Sequence, residues 1–155
     1  MHALEIGSAG QVAFATRQEP AWHGLGTVFQ EDVTTQAMLD LAYLSNWDVR
    51  LLANEDVANP DLNLRFVDES YAVIRTNPFD GGNDVLATVG GRYKVVQNES
   101  LFAFGDALLD GGRWETAGSI KGGKVVFGSL ALDREVVLDP TGAADVVKTY
   151  LLVQT

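Results

Sequence analysis

Apolar positions follow two rhythms along this chain. Between Asp32 and Leu44 they fall at Ala37, Met38, Leu41, Ala42 and Leu44, the three- and four-residue spacing that gathers side chains on one helical face. Asp32 and Thr34 can each start that helix, because their side-chain oxygens accept from backbone N–H groups that the first turn leaves unpaired. The same spacing predicts a second helix from Asn98 to about Asp110, with Leu101, Phe104 and Leu108 on one face. Asn98 would cap it, Glu99 suits the positive end of the helix, and Gly111-Gly112 would stop it.

The other rhythm is alternation. Trp47, Val49 and Leu51 alternate with Asp48, Arg50 and Leu52, as in a half-buried strand. A loop is expected from Asn54 to Asn63 around Asn59-Pro60-Asp61, then a strand from about Leu64 to Thr76. Asn77 to Asn83 reads as a turn, and a third strand runs from Val85 to Val96 with a bend at Gly90-Gly91. After the second helix, Trp114–Ile120 and Lys124–Leu132 form a hairpin across Lys121-Gly122-Gly123. Short strands at Arg134–Leu138 and Val146–Val153 follow, divided by Asp139-Pro140-Thr141-Gly142.

This order, helix, three-strand meander, helix and further hairpin strands, predicts an α+β domain with an antiparallel sheet and its helices on one face. Residues 1–30 have no period and are expected to form an irregular arm around a domain spanning 31–155. The chain closes on the apolar run Tyr150-Leu151-Leu152-Val153, so the expectation is a domain truncated at its C-terminal side.

Composition narrows the chemistry. With 46% hydrophobic and 21% charged residues in 155, the chain is a single globular domain in composition. It contains no cysteine, which excludes disulfides and thiolate metal sites. No apolar run is long enough for a membrane helix, and no secretory signal opens the chain, so the expected setting is cytoplasmic. The two histidines, His2 and His23, cannot build a zinc site without carboxylates. Glu31-Asp32, Glu55-Asp56 and Asp68-Glu69 are adjacent acids, the pattern of solvated loops. No nucleophile motif, P-loop or dinucleotide fingerprint occurs, so no enzyme, metal or cofactor is expected.

The formal net charge is −10, from 11 basic and 21 acidic residues, which opposes binding to a phosphate backbone. The distribution modifies this. Residues 85–132 hold five bases and four acids, so the excess acid lies toward the two ends. Two strings stand out: Trp22-His23-Gly24-Leu25-Gly26, a tight aromatic turn, and Gly90-Gly91-Arg92-Tyr93-Lys94-Val95-Val96-Gln97-Asn98. In the second, cations flank an aromatic residue, as in platforms that track phosphates and stack the bases of single-stranded nucleic acid. An ordinary exposed strand has the same appearance. Arg113-Trp114 and the Lys121 and Lys124 turn would extend the surface if their strands are neighbours.

These strings, with Glu115-Thr116-Ala117-Gly118-Ser119 and the Lys121–Lys124 turn, resemble the phage/plasmid-like protein family, domain of unknown function 932. The boxes match in order, with Gly91 where the family has Asp and Val95 where it has Pro. The resemblance implies a longer protein and assigns no catalytic residue. A more distant similarity is to single-strand annealing proteins of the lambda Red-beta type, whose β-β-β-α core engages single-stranded DNA. The expected function is therefore a non-enzymatic phage or plasmid accessory protein binding single-stranded DNA through Arg92, Tyr93, Lys94, Arg113, Trp114, Lys121 and Lys124. A homo-oligomeric ring could supply further positive surface. The alternative is a protein-interaction module, with the acidic ends mimicking DNA to inhibit a host protein.

Overall fold

The computed structural model describes residues 3–53, 70–108, 112–138, 141–142 and 145–155. In chain order its elements are β1 (Phe14–Arg17), β2 (Thr27–Phe29), α1 (Thr35–Leu41), β3 (Arg50–Ala53), β4 (Ser70–Thr76) and β5 (Asn83–Gly90). Then come α2 (Asn98–Leu108), β6 (Arg113–Ile120), β7 (Val125–Leu138) and β8 (Asp145–Gln154). The fold is α+β, as the order of patterns predicts. The strands form two sheets rather than one: a five-stranded sheet ordered β2-β1-β6-β7-β8 and the separate meander β3-β4-β5. Every pairing is antiparallel except β1 with β2.

The first thirty residues are not an irregular arm. β1 sits inside the larger sheet, with Phe14 opposite Gly118 and Ala15 opposite Ala117 on β6. Upstream, the Glu5 N–H donates to the Ser119 carbonyl at 3.1 Å, and Leu4 bridges Ile120. Strands of four and three residues carry too few alternations to register as a period, which is why the pattern missed them.

One apolar cluster joins α1 (Met38, Leu39) and α2 (Phe102) to Ala15, Trp114, Ala117, Leu130 and Val153 of the sheet, with Trp47 and Leu44 beside them. Thr34 caps α1, its hydroxyl accepting from the Ala37 N–H at 3.2 Å. α2 differs from its expected face. It buries Asn98, Phe102 and Gly105, while Phe104 and Leu108 are exposed. Gly105 makes this possible: a Cβ there would stand 3.0 Å from Val153 and 3.3 Å from Leu130, so the helix lies close to the sheet only because it has none.

Two strand boundaries also shift. β5 ends at Gly90, so Gly91 to Gln97 is a connection rather than a strand. β7 continues through Leu138 as one strand where two were expected, and the anticipated break appears as a register irregularity between Ala131 and Glu135. The expected 54–63 loop, the 64–69 part of the second strand and the Asp110-Gly111 helix stop lie outside the described residues.

Candidate nucleic-acid interface

The connection from Gly90 to α2 is held to the rest of the fold by three consecutive side chains. Gln97 reaches the backbone of Val49 with both ends of its amide: Oε1 accepts from the Val49 N–H at 3.0 Å, and Nε2 donates to the Val49 carbonyl at 2.6 Å. Asn98 Nδ2 donates to the Leu44 carbonyl at 2.9 Å, and Glu99 Oε1 accepts from the Asn46 N–H at 2.9 Å. Asn98 is thus the first residue of α2 and a buried tether, not the cap that its type suggested.

The segment these residues grip is strained. Tyr43, Asn46 and Asp48 all have positive φ, 57°, 58° and 45°, a region that side chains with a Cβ disfavour. Amide and carboxylate partners from residues 97–99 hold the backbone polar groups that so twisted a segment cannot pair in a ladder.

Above this junction lies a cleft of about 420 Å³ between the meander, the start of α2 and the β6–β7 turn. Trp47 and Val126 line its inner part, and Leu86, Tyr93, Val96 and Lys124 also line it. Tyr93 is 47% exposed and Val96 51%, so an aromatic and an aliphatic side chain meet solvent at this cleft.

Beneath the cleft, Arg75 is almost wholly buried. Its guanidinium pairs with Glu5 and with Asp84 (2.8 Å to Oδ2) and lies over the Trp47 ring at 4.2 Å. Burial alone would lower its pKa, but hydrogen bonds and charge from Glu5, then Asp84, outweigh that and raise it above the ordinary arginine value. Arg75 therefore ties the N-terminal segment, the meander and the β6–β7 turn together as a permanent cation.

The site residues expected from sequence separate into three groups. Arg92, Tyr93 and Lys94 are exposed on the connection after β5, and Lys121 and Lys124 are exposed on the β6–β7 turn. Tyr93 and Lys124 share the cleft, so the structure brings these two segments together. Among the described residues, Arg92, Lys94, Lys121 and Lys124 form no ion pair, whereas Arg17, Arg50 and Arg75 all do.

Trp114 does not belong to this surface. It is 3% exposed, stacked on Phe102 with ring centroids 4.7 Å apart, and its Nε1 donates to Thr35 Oγ1 at 3.0 Å. A stacking platform needs an open ring face, and this ring is in the core. Arg113 is half-buried at the opposite end of β6 from Lys121, roughly 25 Å away at the rise of an extended strand.

Sequence reasoning missed Trp47, which lines the cleft, and Arg75, whose partners are 70 and 9 residues away. No local signal marks a buried arginine of this kind. Among the described residues there is no cluster of three or more His, Asp or Glu side chains suited to a metal ion, and no helix is long and apolar enough to cross a membrane.

Residues 85–155 match the family described as Domain of unknown function (DUF932). The matched region opens within β5 and takes in the Arg92-Tyr93-Lys94 connection, α2 and the strands β6 to β8. It supports the resemblance to the domain-of-unknown-function family over that part of the chain, and the Trp22–Gly26 turn lies before it. No curated protein and no solved structure matches the chain.

Proposed function

We propose that this chain is a non-enzymatic accessory protein of a phage or plasmid that binds single-stranded DNA along the Tyr93 cleft. The reading rests on a division of labour among the cations. Arg17, Arg50 and Arg75 are engaged by carboxylates, while Arg92, Lys94, Lys121 and Lys124 are exposed without such partners among the described residues, on the two segments flanking the cleft. Cations of this kind track phosphates, and the exposed Tyr93 ring can stack a base. A net charge of −10 opposes DNA elsewhere on the surface, which favours a narrow track over a broad one. The meander followed by α2 keeps the β-β-β-α order of the annealing proteins, so strand annealing is the activity proposed for the bound state.

Fluorescence anisotropy with a labelled oligonucleotide tests this. If four cations neutralise phosphates, log K falls with log salt at a slope of about −3. Changing Arg92 and Lys94 together to Ala should reduce the slope by about 1.4. Absence of binding at low salt, or binding indifferent to these changes, would refute the proposal.

A second reading, a protein-interaction module, draws on an exposed row along β8: Val146, Tyr150 and Leu152 are 50%, 51% and 61% exposed. β8 is also an edge of its sheet among the described strands, which leaves backbone groups for a further strand. Light scattering over a range of concentrations decides whether a second copy takes that place. A monomer throughout removes the self-pairing version.

A further inference from the structure

We infer that the Tyr93 cleft seats the C5–C6 edge of one unstacked pyrimidine and prefers thymine. The inference rests on the single-stranded DNA reading and adds to it a choice among bases.

An irregularity in the meander builds the apolar wall. On β5, Ala87 stands opposite Val73 of β4 and Val85 stands opposite Ile74, so Leu86 between them has no partner across the strands. Neighbouring residues of a regular strand point to opposite faces, and an extra residue breaks that alternation. Leu86 and Ala87 accordingly both line the cleft, with Val73 beside them. The opposite face of the meander carries Ala72 and Ile74, packed with Leu52 and Val85 in a cluster of their own. Trp47, Val73 and Val126 are buried and close the floor of the cleft, while the exposed Val96 forms part of its rim.

Two polar side chains of the lining are engaged within the fold. Asn98 Nδ2 donates to the Leu44 carbonyl at 2.9 Å, and the Thr155 hydroxyl accepts from the Val126 N–H at 3.1 Å. A base edge rich in donors and acceptors finds little to bond among these walls, and losing water there costs free energy. Purines present N7 beside O6 or N6, and cytosine carries N4 next to its C5 position. Thymine has a methyl group at C5, so its C5–C6 edge is the most apolar that any DNA base offers. Inserted by that edge, the base keeps its Watson–Crick groups at the mouth, where Lys124 and Gln154 are exposed.

Size and charge agree with a single nucleoside. The 420 Å³ of the cleft lies toward the lower end of the roughly 300–1,000 Å³ of small-molecule sites, which suits one base and its sugar rather than a stacked run. The phosphates on either side remain at the rim, where Lys124 on the β6–β7 turn and Arg92 and Lys94 flanking Tyr93 supply positive charge.

Oligo(dT) and oligo(dU) of equal length isolate the methyl group, since charge, sugar and Watson–Crick edge are the same. Burying one methyl strengthens binding by about fourfold. Anisotropy at fixed salt should therefore give oligo(dT) a Kd about fourfold below that of oligo(dU), with oligo(dA) weaker than both. Leu86→Asn should bring the ratio of dT to dU affinity near one. Val96→Thr, similar in shape and at an exposed position, should narrow it. Leu152→Thr, exposed on β8, should leave the ratio unchanged. Equal affinity for oligo(dT) and oligo(dU), tighter binding of oligo(dA), or a ratio that survives Leu86→Asn in a variant with wild-type circular dichroism overturns the inference and leaves the single-stranded DNA reading in place. Binding of none of the three at low salt refutes that reading and this inference together.

Discussion

Replacing Arg75 with Met tests the tie beneath the cleft. The side chain is 1% exposed and Met preserves much of its length, so the substitution removes charge and donors more than volume. Glu5, 9% exposed, would keep only the Ser119 hydroxyl at 2.6 Å as a side-chain partner among the described residues. Breaking one side of a buried ion pair costs about 3–5 kcal/mol, because a charge remains buried without its counterion. Asp84, at 36% exposure, can be served by water and adds little. Loss of the cation over Trp47 adds about 0.5–2 kcal/mol. Even the lower end is a large part of the roughly 5–15 kcal/mol that holds such a domain folded. At about 2–4 °C per kcal/mol, a total of about 3.5–7 kcal/mol should lower the midpoint by about 7–28 °C. Urea unfolding followed by tryptophan fluorescence reads the effect, since Trp47 lies against the guanidinium. The decisive measurement is the double variant: adding Glu5→Gln to Arg75→Met should recover about 1–3 kcal/mol, because the stranded charge is gone. A loss below about 1 kcal/mol for Arg75→Met, or simple additivity in the double variant, would refute the reasoning.

Other expectations follow from single contacts. Gly123→Ala should destabilise more than Gly122→Ala in the same urea assay. Both have positive φ (84° and 65°), which costs a Cβ about 1–2 kcal/mol, but only the Gly123 Cβ would run into Arg75. Gln97→Ala should cost about 1–3 kcal/mol by leaving the Val49 N–H and carbonyl unpaired, and should speed hydrogen exchange around residues 46–49. Trp114→Ala should cost about 3–5 kcal/mol in thermal unfolding yet leave oligonucleotide affinity of the folded fraction unchanged, as its place in the core requires. Tyr93→Ala should do the reverse, leaving the midpoint unchanged and weakening oligonucleotide binding by about 1–3 kcal/mol in anisotropy.

The elements that were legible from sequence are those with enough length to show a period or a strong punctuating residue. Thr34 announced α1, the 121–124 turn announced the β6–β7 hairpin, and the meander followed from alternation and the Asn77–Asn83 turn. What escaped was decided by distant partners. β1 is a strand because residues 116–118 lie beside it, and α2 buries Phe102 rather than Phe104 because Gly105 admits Leu130 and Val153. At the site, exposure of the cations was readable but their sorting was not. Arg17, Arg75 and Arg92 look alike in sequence, and only the fold places carboxylates beside the first two. Trp114 shows the same limit: a basic neighbour suggested a surface ring, while the alternation of β6 turned it inward.

The position of β1 also dictates an order of events during synthesis. Its partner β6 begins about a hundred residues later, so the larger sheet cannot close until the hairpin has left the ribosome. Until then residues 13–16, all buried at the end, remain solvated or held by other contacts, and Glu5 waits for the Ser119 segment that completes its surroundings. Pairing across such separations carries a loop-closure penalty that slows the final step. The earliest residues made are therefore among the last to dock.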